Sequence, residues 1–385
     1  MSQRDWAYLN RVVEGPSRPL QQLLDAGRDP SEIARGIRTR ASWLGELAGQ
    51  TEARHALDRA EQDLADAAAV GARLITPESP EWPHTEFDLA FGFAATGRSD
   101  YLRSYQADAV PPHALWVRGR PLGETVAQSV GVVGTRAATR YGIEATRQIA
   151  TGLATHQWTV VSGGALGIDT AAHESALAAG GLTVVVAACG IDRTYPARNA
   201  TLLERIAGQG SWISEYPPGT PPQRHRFLTR NRLVAALTAG TVIVEAAWRS
   251  GALNTLSWAE GLGRVTMAVP GPVTGSGSLG CHERIKEGRA QLVTGADDIR
   301  ALLGAAGALD VAEQYELAFA ATPVQALSRN ELRVFDAVDP AGSEAQTVAE
   351  AAGLPLPLTV HLLLDLVRRG LLTRDGTVWR RDDTL

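Results

Sequence analysis

The spacing of apolar residues changes twice along the chain. Up to about residue 72, apolar positions recur at helical spacing, with breaks at Gly15–Pro19 and Asp29–Ser31. Prolines then become frequent, which favours an extended connector with a short strand at Ala114–Arg118. The pattern predicts a helical domain over residues 1–72 and a connector over residues 73–123.

Residues 124–303 have a third pattern, in which continuous Val/Ile/Ala runs alternate with helical segments. The runs include SVGVV from Ser129 and TVVVAA from Thr183, and they lack the in–out alternation of half-exposed strands. Such runs are typical of strands whose two faces are both covered. Repeated strand–helix units with short loops predict an α/β domain with a doubly wound parallel sheet, a Rossmann-like fold.

The end of the chain has a different character again. Residues 304–322 are alanine-rich and acidic, which predicts a linker. In residues 323–385 we predict a hairpin, with Asp375-Gly376 as its tight-turn signal. Three short helices are predicted before it, at Ser328–Val338, Thr347–Gly353 and Leu358–Arg369. This order of elements predicts a C-terminal winged helix-turn-helix domain.

The composition is that of an ordinary globular protein, with 44% apolar and 21% charged residues. The longest apolar run, Thr183–Ile191, is too short to span a bilayer, and the start lacks a basic–apolar leader. Cys189 and Cys281 are the only cysteines, and His282 is the one histidine that adjoins a cysteine. We therefore expect a cytoplasmic protein with no membrane segment, disulfide framework, metal site or cofactor.

The formal net charge is −5, but it is unevenly distributed. Residues 124–303 carry 16 basic and 13 acidic side chains, whereas the segments before and after them are net acidic. Whole-chain acidity argues against a nonspecific coat for DNA. A local basic groove within the predicted Rossmann-like domain is compatible with this balance.

Candidate binding residues stand after the predicted strands. The carboxyl ends of parallel strands meet at one edge of a sheet, where ligands bind. We expect Gly134 to let a phosphate approach closely, Thr135 and Ser162 to donate to it, and Arg136 to pair with it or lie against a base. The full set of candidates is Gly134, Thr135, Arg136, Ser162, Gly163, Gly164, Gly167, Asp169, Tyr195, Asn199, Arg230, Asn231 and Arg232.

Two arginines form an unusual local pattern. Arg230 and Arg232 flank Asn231 at the predicted start of a helix, where cations oppose the helix dipole by ~0.3–1 kcal/mol each. Their placement predicts an anion between them. Trp248, beside Arg249 at the end of a strand, is the best stacking candidate among nine tryptophans.

The loop sequence SGGALGID is compatible with more than one role. Its glycines suit close approach to a phosphate or tight turns alone, and Asp169 suits a helix N-cap. A dinucleotide is disfavoured because no G-x-G-x-x-G follows the first strand, and a G-x-x-x-x-G-K-[ST] loop for triphosphates is also missing. A nucleotide and a single nucleic acid strand are the candidate ligands that the residues themselves leave open.

Seven segments between residues 125 and 300 carry a specific combined pattern. They are VVGTR (132–136), SGGALGIDTAAH (162–173), ALAAGGLTVVVAACGIDRTYPARN (176–199), SEYPPGTPP (214–222), TRNRLVAAL (229–237), VEAAWRSGALNT (244–255) and AVPG (268–271). In this order and spacing the chain resembles the DNA-processing protein A family, also called Smf.

The resemblance implies a Rossmann-like domain that binds single-stranded DNA in its mouth and forms a homodimer. It also implies a non-enzymatic recombination mediator, which protects incoming strands and loads a RecA-type recombinase during natural transformation. The helical domain would be SAM- or HhH-like. By position, Gly134–Arg136 would form the first phosphate-binding loop, and the pocket would be lined by Ser162–Asp169, Tyr195, Asn199 and Arg230–Arg232.

Two alternative functions are weighed against this one. The family resembles nucleoside-monophosphate phosphoribohydrolases, but Trp258 stands where their carboxylate is expected and Glu260 comes two residues late. A transcription regulator led by the winged tail is the other, although residues 323–385 carry a net charge of −2 and their third helix is mainly apolar. We expect that tail to contact protein, or DNA through wing residues Arg374, Arg380 and Arg381.

Overall fold

The computed structural model describes residues 3–99, 106–304, 324 and 327–381. The chain divides into two compact units, Met1–Leu309 and Asp310–Leu385. The predicted linker over residues 304–322 lies, except for Gly304, outside the described residues.

The first part of the larger unit is helical, as predicted. Ser17 and Asp29 cap the second and third helices, because each side chain accepts a backbone N–H of the following turn. Leu9 of the first helix joins a core cluster with Trp116 and Trp212, so the helical part is packed on the sheet described below. Its helices are α1 (Gln3–Val13), α2 (Arg18–Asp25), α3 (Pro30–Thr39), α4 (Glu46–Gln50) and α5 (Ala60–Ala69).

Residues 73–123 are more structured than the extended connector that the prolines predict. The segment contains α-helices and β-strands, of which the first begins one residue before it and the last ends beyond it: β1 (Ala72–Ile75), α6 (His84–Ala95), β2 (Leu115–Gly119) and α7 (Leu122–Val126). Strand β2 is one residue displaced from the predicted strand, and it pairs antiparallel with β1 at the edge of the main sheet. Helix α6 buries Phe87 and Phe91. Prolines cluster on both sides of α6, so the composition of the segment conceals the helix between them.

Among the described residues the main sheet has nine strands, in the order β1-β2-β6-β5-β4-β3-β7-β8-β9. The pairs from β6 to β9 are all parallel. The bounds of the further strands are β3 (Ser129–Val133), β4 (Thr159–Ser162), β5 (Thr183–Ala187), β6 (Ser211–Ser214), β7 (Gly240–Ile243), β8 (Val265–Ala268) and β9 (Gln291–Leu292).

Helices cover both faces of this sheet, which explains why β3 and β4 are buried along their whole length. From β3 to β6 successive strands are added towards one edge of the sheet, and from β7 to β9 they are added towards the other edge. The topological switch point therefore lies between β3 and β7. The predicted doubly wound α/β architecture is confirmed. Its helices are α8 (Arg140–Thr155), α9 (Ile168–Ala178), α10 (Ala200–Gln209), α11 (Arg224–Ala236), α12 (Ala252–Gly261), α13 (Leu279–Lys286) and α14 (Ala296–Leu303).

The smaller unit holds three helices and a three-stranded antiparallel sheet in its described part. The three predicted helices and the hairpin are present, around a core that includes Leu363, Leu366 and Trp379. A short strand that pairs with the hairpin was not predicted, because two residues are too few to show a strand pattern. The elements are α15 (Arg329–Asp336), β10 (Ser343–Glu344), α16 (Ala345–Ala352), α17 (Leu356–Arg368), β11 (Leu372–Asp375) and β12 (Val378–Arg381).

Within the described residues, no single helix combines the length and the apolar character needed to cross a bilayer. Helices α16 and α17, bent by 107° at their break, reach those criteria only as a pair and only by length and composition.

Candidate functional site

A cavity of about 320 Å³ opens at the carboxyl edge of the parallel strands. It lies at the switch point between β3 and β7, where open α/β sheets bind their ligands. The loop after β3, the loop after β4, helix α11 and the start of α12 line it. Seven of the residues predicted from the sequence lie in its wall: Gly134, Thr135, Arg136, Gly163, Asp169, Arg230 and Asn231.

The loop after β3 is held by close packing inside the protein. A Cβ on Gly134 would lie 2.5 Å from Cγ1 of Ile168 and 3.0 Å from the carbonyl oxygen of Glu245. The backbone N–H of Thr135 donates to that same carbonyl at 2.7 Å. Internal packing alone therefore requires glycine at position 134, before any ligand is considered.

Two glycines of the loop after β4 allow other parts of the site to approach. A Cβ on Gly163 would collide with the guanidinium of Arg230, so glycine is what lets that side chain lie against the loop. Gly167 has a φ of +84° and stands against the carbonyl of Thr135, which fixes this loop against the loop after β3. The glycines thus assemble the cavity wall from two neighbouring loops.

Two predicted residues support this loop without lining the cavity. Ser162 is fully buried and donates through Oγ to the carbonyl of Val132 at 2.7 Å. Asn199 is buried and donates through Nδ2 to the carbonyl of Gly164 at 3.0 Å. The expectation that Ser162 donates to a phosphate is therefore wrong, because its hydroxyl hydrogen is already used inside the sheet.

Asp169 lines the cavity, but it is not the N-cap of its helix. Helix α9 begins at Ile168 after Gly167, and the Asp169 carboxylate accepts the backbone N–H of Ala165 at 3.2 Å. The N-cap interpretation of Asp169 is therefore wrong. Burial raises the pKa of this carboxyl, and the nearby Arg230 guanidinium opposes the shift.

Arg230 is the most unusual group in the cavity wall. Only 5% of the residue is exposed, its Nη1 donates to the carbonyl of Val186 at 2.5 Å, and its Nε has no hydrogen-bond partner. Burial lowers the pKa of this guanidinium. In the described part of the chain, no carboxylate forms an ion pair with it. The Asp169 carboxylate partly offsets the cost of burying this charge, but it forms no ion pair with the guanidinium, which is left without direct contact to an anion among the residues that the structure describes.

Arg232 does not join Arg230 in the cavity. It is fully buried on the opposite side of α11, where its Nη2 pairs with Oε1 of Glu215 at 2.5 Å. Helix α11 begins at Arg224, so both arginines lie well inside the helix, and residues two apart point about 200° apart. The predicted helix start at these arginines, and the predicted anion between them, are wrong.

Asn231 and an aromatic pair complete the cavity and its rim. Asn231 lines the cavity and donates through Nδ2 to Oδ1 of Asn254 at 3.1 Å. The guanidinium carbon of Arg136 lies 5.4 Å from the ring centre of Phe227, which lies 5.4 Å from that of Tyr195. Phe227 is not in the set of binding residues selected from the sequence. The signal was available: it is the only aromatic residue in the basic stretch RHRFLTRNR.

The phosphoribohydrolase alternative finds no support at α12. Trp258 is buried in the core, and Glu260 pairs with Arg289 at 2.6 Å. Among the described residues, Asp169 is the one carboxylate in the cavity wall. The same residues contain no group of three His, Cys, Asp or Glu side chains that could hold a metal ion. The wall offers groups that bind a ligand, without a second carboxylate for acid–base work.

Comparisons with known proteins agree with this architecture. The sequence profile of the family described as DNA recombination-mediator protein A matches residues 73–304. The chain belongs to that family. A DNA processing protein DprA from Mycobacterium tuberculosis is 46% identical over 351 residues, which covers 91% of this chain and 86% of the relative. Protein Smf from Escherichia coli is 38% identical over 264 residues, 67% of this chain and 69% of its own length.

A solved structure supports the fold of the DNA recombination-mediator protein A family for this chain. The X-ray structure of DNA processing protein A from Streptococcus pneumoniae matches with a TM-score of 0.63 at 28% identity. The match covers 79% of this chain and 98% of that one. The resemblance drawn from the sequence motifs is confirmed, and the family places the chain among DNA-processing proteins.

Proposed function

We propose that this chain binds single-stranded DNA in the cavity at the carboxyl edge of its sheet and acts as a recombination mediator. The observation that carries the proposal is Arg230, a buried guanidinium that faces the cavity with an unpartnered Nε. A backbone phosphate supplies the direct ion-pair partner that this group lacks among the described residues.

A second feature of the cavity favours a phosphate. Helix α12 begins at Ala252, and Gly251 and Ala252 both line the cavity. The first N–H groups of this helix, from Ala252 to Asn254, already donate to Ser250 and Gly251, so the helix start favours an anion through the positive end of its dipole. Arg230, its neighbour Asn231 and the start of α12 all lie in the wall of the same cavity.

The rim favours an unpaired strand over a duplex. Arg136 is exposed and stands over Phe227, and Tyr195 is 44% exposed beside it. Flat rings next to a phosphate site accept bases of any sequence, but only bases that are free of a complementary strand. In addition, the phosphate must enter a cavity to reach buried Arg230, and a flexible single strand can follow that path.

The mediator role rests on family membership together with this geometry. In the proposed role the protein is a cytoplasmic homodimer without an enzymatic activity, and it protects incoming single strands in natural transformation. It then hands them to a RecA-type recombinase. The winged-helix unit contributes a protein contact, or a DNA contact through its hairpin arginines.

A mobility-shift titration tests the proposal with matched charge variants. We expect Arg230→Gln to weaken binding of oligo-deoxythymidine roughly 10- to 100-fold, because a hydrogen bond to a charged phosphate is lost. Arg35→Gln is the control, since Arg35 is an exposed arginine on α3, and it should change affinity less than about twofold. Full affinity in Arg230→Gln, or equal competition by duplex DNA, would overturn the proposal.

A further inference from the structure

Trp248 is an exposed tryptophan next to the cavity. All nine tryptophans lie in the described residues; seven are buried and Trp43 is half-buried, whereas Trp248 is 59% exposed. A single exposed apolar side chain is ordinary, so a role for this ring has to be argued from the groups around it.

The segment that presents Trp248 is a fixed turn. After β7 the chain turns at Ala247–Ser250, where the N–H of Ser250 donates to the carbonyl of Ala247 at 3.0 Å, and Trp248 and Arg249 form the tip. The N–H of Gly280 donates to the carbonyl of Ala246 at 2.8 Å. A Cβ on Gly280 would lie 2.9 Å from the carbonyl oxygens of Ala246 and Ala247, so the two segments are in close contact. The exposure of Trp248 is therefore a feature of an anchored backbone.

This turn adjoins the proposed phosphate site. Ser250 and Gly251, which directly follow the tip, line the same cavity as Arg230. Arg249 makes no ion pair with a carboxylate in the described part of the chain, so its charge is available to a second phosphate. The loop and helix that carry Arg136 and Phe227 supply another part of the cavity wall. Two pairs of an aromatic ring and an arginine thus stand at the cavity: Phe227 with Arg136 in its wall, and Trp248 with Arg249 on the adjoining turn.

We propose that Trp248 is a stacking platform for a nucleobase of the strand held at Arg230, at the nucleotide next to the one in the cavity. Arg249 contacts the phosphate between those two nucleotides. This inference rests on the proposed function. A nucleobase fits better here than an apolar protein segment, because the ring is flanked by an unpaired cation and by a phosphate-binding cavity.

The protein carries its own optical probe for this contact. Trp248 is the exposed member of the nine tryptophans, so its fluorescence is the part of the tryptophan emission that responds to a ligand at the surface. We expect oligo-deoxythymidine to quench part of the tryptophan emission of the full chain. Trp248→Phe should abolish that quenching while it keeps a ring for stacking, and therefore most of the affinity.

Affinity measurements separate stacking from other roles of Trp248. We expect Trp248→Ala to weaken binding of oligo-deoxythymidine roughly 5- to 100-fold. An abasic oligomer of the same length should bind the wild type and Trp248→Ala equally. Leu57→Ala, which removes a side chain that is 48% exposed on the helical part, is the matched control and should leave affinity unchanged.

Each contrary result has a distinct meaning. If Trp248→Ala binds like the wild type while Arg230→Gln does not, stacking is overturned and the proposed function stands. An equal loss with intact and abasic oligomers also overturns stacking, since the side chain would then act on the turn and not on a base. If the wild-type chain fails to bind oligo-deoxythymidine at all, the proposed function itself fails.

Discussion

The two sides of helix α11 carry the same residue type in opposite states. On the cavity side, Arg230 is buried without an ion-pair partner among the described residues. On the core side, Arg232 is fully buried and paired with Glu215. The core-side pair is linked to the helical part, because the carbonyl of Glu215 accepts the Asn10 side chain at 2.9 Å.

Under the proposed function, the difference separates a buried charge that serves stability from one that serves binding. A buried cation that is neutralised by a carboxylate fixes the elements on which the two groups lie. A buried cation left without one raises the free energy of the unliganded state, and a bound anion recovers that cost. The same helix thus anchors the helical part on one side and carries the proposed phosphate site on the other.

The largest expected effect is on the core side. Arg232→Met leaves the Glu215 carboxylate buried without its partner, and we expect the free energy of unfolding to fall by ~3–5 kcal/mol. Urea denaturation of the full chain measures it. The double variant with Glu215→Gln should recover much of the loss, because the uncompensated charge is gone. A loss below about 1 kcal/mol would mean that the pair does not anchor the helix.

A smaller effect is expected from two buried histidines, one beside each arginine. Burial lowers the pKa of His113 and of His173 to about 3, and Arg232 and Arg230 respectively add to the shift. The unfolded-state pKa is about 6.5, so folding favours the neutral ring. This stabilisation is present above pH ~6.5 and is lost as the pH falls towards 3. We expect a loss of ~2 kcal/mol for each histidine between pH ~6.5 and ~5.

Urea denaturation at about pH 7 and about pH 5 checks the histidine prediction. His173→Gln should remove about half of the pH dependence. His225→Gln should remove none, because His225 is exposed. If the wild type is equally stable at both pH values, neither histidine is held neutral by its buried environment.

Much of the fold could be predicted because the relevant signals are local. The Val/Ile/Ala runs of β3 and β5 require cover on both faces, and the glycine loop after β4 follows from the same pattern. The side of α11 on which each arginine lies could not be predicted. Arg226, Arg230 and Arg232 are all buried, so the helix has no polar face whose 3.6-residue period would reveal its start.

The smallest expected effect compares Arg230 with Arg136, which also lines the cavity but is exposed. An exposed arginine is already solvated, so Arg136→Gln should weaken binding of oligo-deoxythymidine only a few-fold at moderate salt. In the wild type, however, Arg136 releases counterions when it neutralises a phosphate, and the variant loses this contribution. The slope of log affinity against log salt should therefore become shallower by ~0.7, as in Arg230→Gln. Fluorescence anisotropy across a salt series measures both quantities, with Arg35→Gln as the control of unchanged slope. Equal slopes but unequal affinities in the two variants would assign the difference to burial, whereas an unchanged slope in Arg136→Gln would remove Arg136 from the phosphate path.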